Sequence, residues 1–82
     1  MIIGKVVGNV WATRKCDVLN GLKFLIVKLE DGNKIIACDN IGAGVGDRVL
    51  VTQGSSARKT VTYQEVPIDA AIIGIIDGIE GE

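Results

Sequence analysis

The 82-residue chain contains no histidine. That removes the commonest general base and the commonest metal-binding side chain. Aromatic residues make up 4% of the chain, so a surface that stacks nucleic-acid bases has only Trp11, Phe24 and Tyr63 to build with. Net charge is also missing: nine Lys and Arg against ten Asp and Glu leave −1. A protein that binds by neutralising phosphates needs a clustered basic surface instead. The two cysteines, Cys16 and Cys38, are far apart and form no C-x-x-C pair. They read as one loop thiol and one small core residue in a reducing compartment. No segment approaches the ~18 apolar residues of a membrane span. Met1-Ile2-Ile3-Gly4-Lys5 lacks the basic start and long apolar core of a secretion signal. The expectation is a cytoplasmic protein with no metal, no cofactor, no nucleic acid and no membrane.

What the chain does have is aliphatic surface. Apolar residues are 48% of the total and charged ones 23%. The length predicts a single domain over residues 1–82. A chain this short buries only about 60–65% of its unfolded surface and usually needs a partner, a metal or a disulfide for stability. Part of the Ile and Val surplus is therefore expected to face other copies of the chain.

Strand signals recur along the sequence. Residues 2–12 alternate, with Ile2, Gly4, Val6, Gly8, Val10 and Ala12 on one face, and the glycines there permit a bend or a close neighbour. Residues 13–21 are polar and end in an Asn20-Gly21 turn. Leu22 to Leu29, the Glu30-Asp31-Gly32-Asn33 turn and Lys34 to Cys38 read as a hairpin. Arg48 to Thr52 makes a fourth strand. Ser55 or Ser56 is placed to cap a helical turn over Ser56 to Lys59, since a serine oxygen accepts from free backbone N–H groups. Val61-Thr62-Tyr63 suggests a brief strand, and Pro67 closes the loop. Ala70 to Asp77 is a strong fifth strand, with Ile72, Gly74 and Ile76 on one face and Ala71, Ile73, Ile75 and Asp77 on the other. Isoleucine on both faces predicts burial on both, one of them by another subunit. The fold class expected is all-β: a small five-stranded antiparallel barrel of the OB type with one short helical turn.

The most unusual stretch is Asp39 to Arg58. Three glycines alternate at Gly42, Gly44 and Gly46, followed by Asp47-Arg48 and the run Val49-Leu50-Val51. A phosphate-cradling loop would need Lys and Ser or Thr after the last glycine, and a dinucleotide loop would need G-x-G-x-x-G opening a helix. Neither pattern is met. The spacing predicts a bent loop that either packs on another backbone or lines a narrow opening.

Four motifs taken in order carry a resemblance. They are Gly4-Lys5-Val6-Val7-Gly8-Asn9-Val10-Trp11-Ala12-Thr13-Arg14-Lys15, then Asp39-x-x-Gly42-Ala43-Gly44-x-Gly46-Asp47-x-Val49-Leu50, then Gly54-Ser55-Ser56-Ala57-Arg58, then Pro67-Ile68-Asp69-Ala70-Ala71-Ile72-Ile73-Gly74-Ile75-Ile76-Asp77. In this order and spacing they resemble the EutN/CcmL family, the vertex proteins of bacterial microcompartment shells. The resemblance covers nearly the whole chain. It implies an OB-like barrel that assembles as a homopentamer, sits in the shell where flat sheets of hexameric shell proteins must bend, and carries no catalytic residues. It makes Gly42, Ala43, Gly44, Val45 and Gly46 the candidates for approach to the fivefold axis. Ser55, Ser56, Ala57, Arg58 and Asp69 become candidates for a subunit contact, with an Arg58–Asp69 ion pair within one subunit or across to the next.

Two other classes compete. An OB-type single-stranded nucleic-acid-binding module would rely on the pairs Arg14-Lys15 and Arg58-Lys59, which are balanced by ten acids. An enzyme would use Asp39, Asp47, Asp69 or Asp77 as acid and base, or Cys16 as a thiol, but no recognisable nucleophile–base set is present.

Overall fold

The computed structural model describes residues 1–12, 15–60 and 66–81. Five strands form a closed barrel: β1 (Ile2–Asn9), β2 (Lys23–Leu29), β3 (Lys34–Asp39), β4 (Arg48–Gln53) and β5 (Ala70–Ile75). A 3-10 turn at Asp17–Leu19 precedes β2, and one α-helical turn, α1 (Ser55–Arg58), follows β4. Around the barrel the order is β1-β2-β3-β5-β4, closing back on β1. The strand proposed for Val61-Thr62-Tyr63 and the Arg14 half of one basic pair lie outside the described residues.

The β2–β3 hairpin forms where the Asp-Gly turn predicts it. Gly32 adopts φ 91, Leu29 and Asn33 are joined by backbone, and the Asp31 carboxylate accepts from the Asn33 backbone and side-chain amides. A positive φ there is open to glycine at no steric cost. One pairing departs from the antiparallel expectation: β3 and β5 run parallel, through Cys38–Ala71 and Asp39–Ile72. The chain crosses from β4 over α1 before β5 inserts between β3 and β4, which fixes that direction.

Strand β1 is shorter than expected. It ends at Asn9, although the Val10 N–H still donates to the Phe24 carbonyl at 3.0 Å. Its two glycines act as the alternation anticipates. Gly4 is buried against Val27, and a Cβ there would overlap Val27 Cγ1 and lie 3.1 Å from the Lys28 carbonyl oxygen. Gly8 follows a bulge that shifts the register with β2 after Val6.

The barrel interior is filled by Val6, Leu25, Val27, Ala37, Val49, Val51 and Ile72 with Ala43 and Ala70, and Ile2, Leu29 and Ile35 pack against this core. A smaller cluster of Cys38, Val66 and Ile68 lies under Leu19, Leu22 and Phe24. The predicted alternation in β5 is broken by a second bulge. Val51 pairs with Ile72 but Leu50 pairs with Gly74, so Ile73 is the extra residue and Ile72 and Gly74 face opposite sides. A bulge inserts one unpaired residue and turns everything after it. Burial of isoleucine on both faces is thus not complete within the subunit: Ile73 and Ile75 are 37% and 42% exposed.

Candidate functional site

The glycine loop is organised by two carboxylates. Asp39 ends β3 and is 4% exposed. Its Oδ1 accepts from the Ile41 N–H at 3.1 Å and its Oδ2 from the Ala43 N–H at 2.9 Å. Lys23, its cross-strand partner on β2, places Nζ 3.2 Å from the same Oδ2 and donates to the Ala43 carbonyl. Lys23 thus spans the Asp39 carboxylate and the loop backbone, and Ala43 is held in the core. Among the described residues this is the one side-chain ion pair, and no buried side-chain polar atom there lacks a partner.

Beyond Ala43 the loop closes on itself. The Asp47 carboxylate accepts from the Gly44 N–H at 2.9 Å, and the Asp47 N–H donates to the Gly44 carbonyl at 3.0 Å. Gly42 and Gly46 adopt φ 91 and 97, which a side chain would oppose. The closed turn is then fastened to β1. Gly46 N–H donates to the Val6 carbonyl and Val6 N–H to the Asp47 carbonyl, both at 2.9 Å. The loop packs on the β1 backbone, the first of the two readings its spacing allows, and Val45 at its tip is 63% exposed. Gly44 itself has no positive φ and no atom within 4 Å of a Cβ position. Among the described residues nothing requires glycine there.

The second candidate group surrounds α1. The expected serine cap is absent. The N-cap is Gly54, at φ 72, with no side-chain hydrogen bond, and Ser55 and Ser56 are exposed. A residue with positive φ is needed where β4 turns into the helix, and glycine fills it. The Gly54 N–H donates to the Asp69 carbonyl at 2.8 Å, so backbone joins the helical turn to the start of β5. Ala57 is fully buried, whereas Arg58 and Asp69 are exposed and form no ion pair with each other within the subunit. Asn40 Nδ2, at the root of the glycine loop, donates to the Thr60 carbonyl at 3.4 Å and so brings the two candidate groups together.

Asp39 and Asp47 spend their carboxylates on backbone amides, and Asp69 and Asp77 are exposed. Cys16 is an exposed free thiol and Cys38 a buried one. Burial, reinforced by the neighbouring Asp39 carboxylate, pushes the Cys38 thiol above its ordinary range and keeps it neutral.

What the sequence reasoning missed is the Lys23–Asp39 clamp. The signal was present. Counting outward from the Asp31-Gly32 turn pairs Lys28 with Lys34 and, five residues further, Lys23 with Asp39.

Comparison with known proteins is consistent along the whole chain. The family model described as "Ethanolamine utilisation protein EutN/carboxysome" matches residues 1–77. The bacterial microcompartment shell vertex protein GrpN of Rhodospirillum rubrum is 41% identical over 86 residues, covering 98% of this chain and 97% of its own. The structure of CcmL from Gloeobacter violaceus superposes with a TM-score of 0.90 at 38% identity, over 100% of this chain and 91% of that one. A pentameric shell protein from the RMM microcompartment superposes with a TM-score of 0.88 at 46% identity, over 94% and 91%.

Proposed function

The chain belongs to the EutN/CcmL family, and from that premise we propose that it is a structural subunit which assembles as a homopentamer and caps the vertices of a bacterial microcompartment shell. It works in the shell, within the cytoplasm, and as a wall component rather than an enzyme. The observation that carries the reading is the unspent apolar surface. The core is filled, yet Ile36, Val45, Ile73 and Ile75 remain 37–63% exposed. A small barrel with that much aliphatic exterior has its lowest free energy when copies cover one another. A ring of copies uses two different patches per subunit, head to tail, and closes when the rotation divides a full turn. Five-membered rings are what a polyhedral wall of hexameric shell proteins requires at its corners. Those hexamers are the proposed partners.

Within that ring the proposed position of Gly42, Ala43, Gly44, Val45 and Gly46 is towards the symmetry axis, and Ser55, Ser56, Ala57, Arg58 and Asp69 are the proposed subunit contact. Native mass spectrometry at micromolar concentration tests the assembly, with the expected species at five times the 8.7 kDa subunit mass. A monomer would end the reading, and a six-membered ring would remove the vertex role. Gly44→Val sharpens the test. The subunit has room for the side chain, so the barrel should melt as the wild type does while rings are lost. Normal ring yield from that variant would place the loop away from any other chain.

Arg58 and Asp69 give a second check. Both are exposed in the subunit, so each alanine variant should cost the isolated barrel less than about 1 kcal/mol. If they meet across the contact, the double variant should lose no more ring than the worse single one. Additive ring losses would mean that they do not interact.

A further inference from the structure

The outer surface of the barrel carries a row of cations that the fold does not need. Arg48 on β4 is registered with Lys5 on β1, Lys5 with Lys28 on β2, and Lys28 with Lys34 on β3. Four of the chain's nine cations therefore stand side by side across four adjacent strands, about 4.8 Å apart from strand to strand. All four are exposed, and among the described residues none takes part in an ion pair. Like charges directly opposite each other destabilise a sheet. The row thus works against the subunit that carries it.

Two features lie beside it. On the same outer face, Ile3 pairs with Leu50 and Leu50 with Gly74, an uncharged row two residues along from Lys5 and Arg48. Ile3 and Leu50 line a shallow, mostly apolar cleft with Met1, Ile2, Leu29, Glu30 and Asp31. The fifth strand, β5, contributes no cation. Just past it the Ile76 N–H donates to the Arg48 carbonyl at 2.8 Å, and the chain then leaves the barrel as Asp77-Gly78-Ile79-Glu80-Gly81 without regular structure. Asp77, Ile79 and Glu80 are exposed there, and among the described residues neither acid pairs with a cation of its own subunit.

We propose that the basic row and the apolar cleft of one subunit receive the 77–81 segment of the neighbouring copy in the ring. This rests on the ring reading above. The match is one of chemistry: carboxylates flank a single isoleucine in the segment, and on the barrel the cations Lys5 and Arg48 lie two residues along the strands from an aliphatic cleft whose charged lining is Glu30 and Asp31. Ile79 enters between Ile3 and Leu50, and Asp77 and Glu80 turn to Lys5, Arg48 and Lys28, away from Glu30 and Asp31. The arrangement is head to tail, as closure of a ring demands. A nearly neutral chain that separates its charges in this way attracts its own kind and disfavours the reversed orientation.

Charge reversal tests it. The wild type is first shown to form rings; failure there would end the ring reading itself. Lys5→Glu/Lys28→Glu places opposite charges beside Arg48 and Lys34. The isolated barrel should therefore melt no lower than the wild type, while rings require about tenfold more protein to form. Asp77→Lys/Glu80→Lys should weaken rings similarly with the barrel untouched. Combining all four changes should restore rings towards the wild-type concentration. If the first variant fails to fold, Lys5→Gln/Lys28→Gln replaces it with the same expectation. Rings indifferent to both reversals, or a combined variant no better than the worse half, would overturn the inference. So would a row variant whose rings persist but which no longer joins hexameric shell protein, since the row would then face another partner.

Discussion

Asp39→Ala should lower the stability of the barrel by about 3 kcal/mol, the largest loss from any single polar side chain among the described residues. Its carboxylate is buried and accepts from the Ile41 and Ala43 N–H groups while facing Lys23. Truncation leaves the Ala43 amide inside the protein without an acceptor, and each such orphan costs about 1–3 kcal/mol. Lys23 adds little to the bill because its side chain is 48% exposed and water takes over its ammonium. For a domain of this size the loss corresponds to roughly 12–24 °C in melting temperature. Ring assembly also raises apparent stability, so the measurement belongs at a concentration where both proteins are monomeric, or at matched ring occupancy. Amide hydrogen exchange supplies a local readout: protection at Ile41 and Ala43 should fall before that of β2. Asp39→Asn keeps one acceptor oxygen and should fall between. A loss under 1 kcal/mol would show that the clamp does not hold the loop.

Gly4→Val is the second large effect, and it should act on folding rather than assembly. The new Cβ would clash with Val27 Cγ1 and press on the Lys28 carbonyl, a backbone atom with no cheap way to retreat. Overfilling a packed core costs typically 1–3 kcal/mol, and a β-branched side chain adds two methyls to the conflict. Gly4→Ala should cost about half as much. The informative variant is Gly4→Ala/Val27→Ala, in which one side chain vacates the space the other needs. It should be more stable than the sum of the two single losses by at least about 1 kcal/mol. Strict additivity would mean that the two sites do not share space. Gly44→Val divides the other way, with the subunit intact and the ring lost.

The sequence-level reading and the structure agree wherever local chemistry decides. The Asp31-Gly32 turn fixes its hairpin, alternation together with short apolar runs and turn signals finds all five strands to within a few residues, and Gly4 sits at a close approach and Gly8 beside a bulge. Disagreement begins where the decisive partner is remote. Nothing in Ile35–Cys38 or in Ala70–Ile75 announces that these two strands will lie parallel, because the pairing is set by how the chain crosses the barrel. The β5 bulge was hidden for another reason. In a run such as Ile72-Ile73-Gly74-Ile75 every residue is apolar or glycine, so a one-residue slip leaves no trace in the pattern. The helix cap failed on competition: serine suits a cap, but Gly54 occupies a backbone angle that serine avoids. Asp39 was read as a candidate acid because its register with Lys23 was not counted across the hairpin. The cation row escaped similarly, since its members are scattered from position 5 to position 48 and become neighbours only through three separate strand pairings.

The parallel seam has a consequence for how the molecule comes into being. Strand β5 joins β3 through two residue pairs and β4 through five. Until Ala70–Ile75 has been synthesised, β3 and β4 each keep an open edge, and the barrel is a four-stranded sheet waiting for its last stave. Such long-range closure is slow relative to the local hairpins, because loop entropy must be overcome first. The early sheet is also indifferent to whose β5 arrives. At the high local concentration of a polysome making many copies, a strand from the next chain fits the same gap, and exchange of identical elements is an inexpensive route to misassembled dimers. Dilution during refolding, or slow expression, should therefore raise the yield of correctly closed subunits more than any change in the completed barrel.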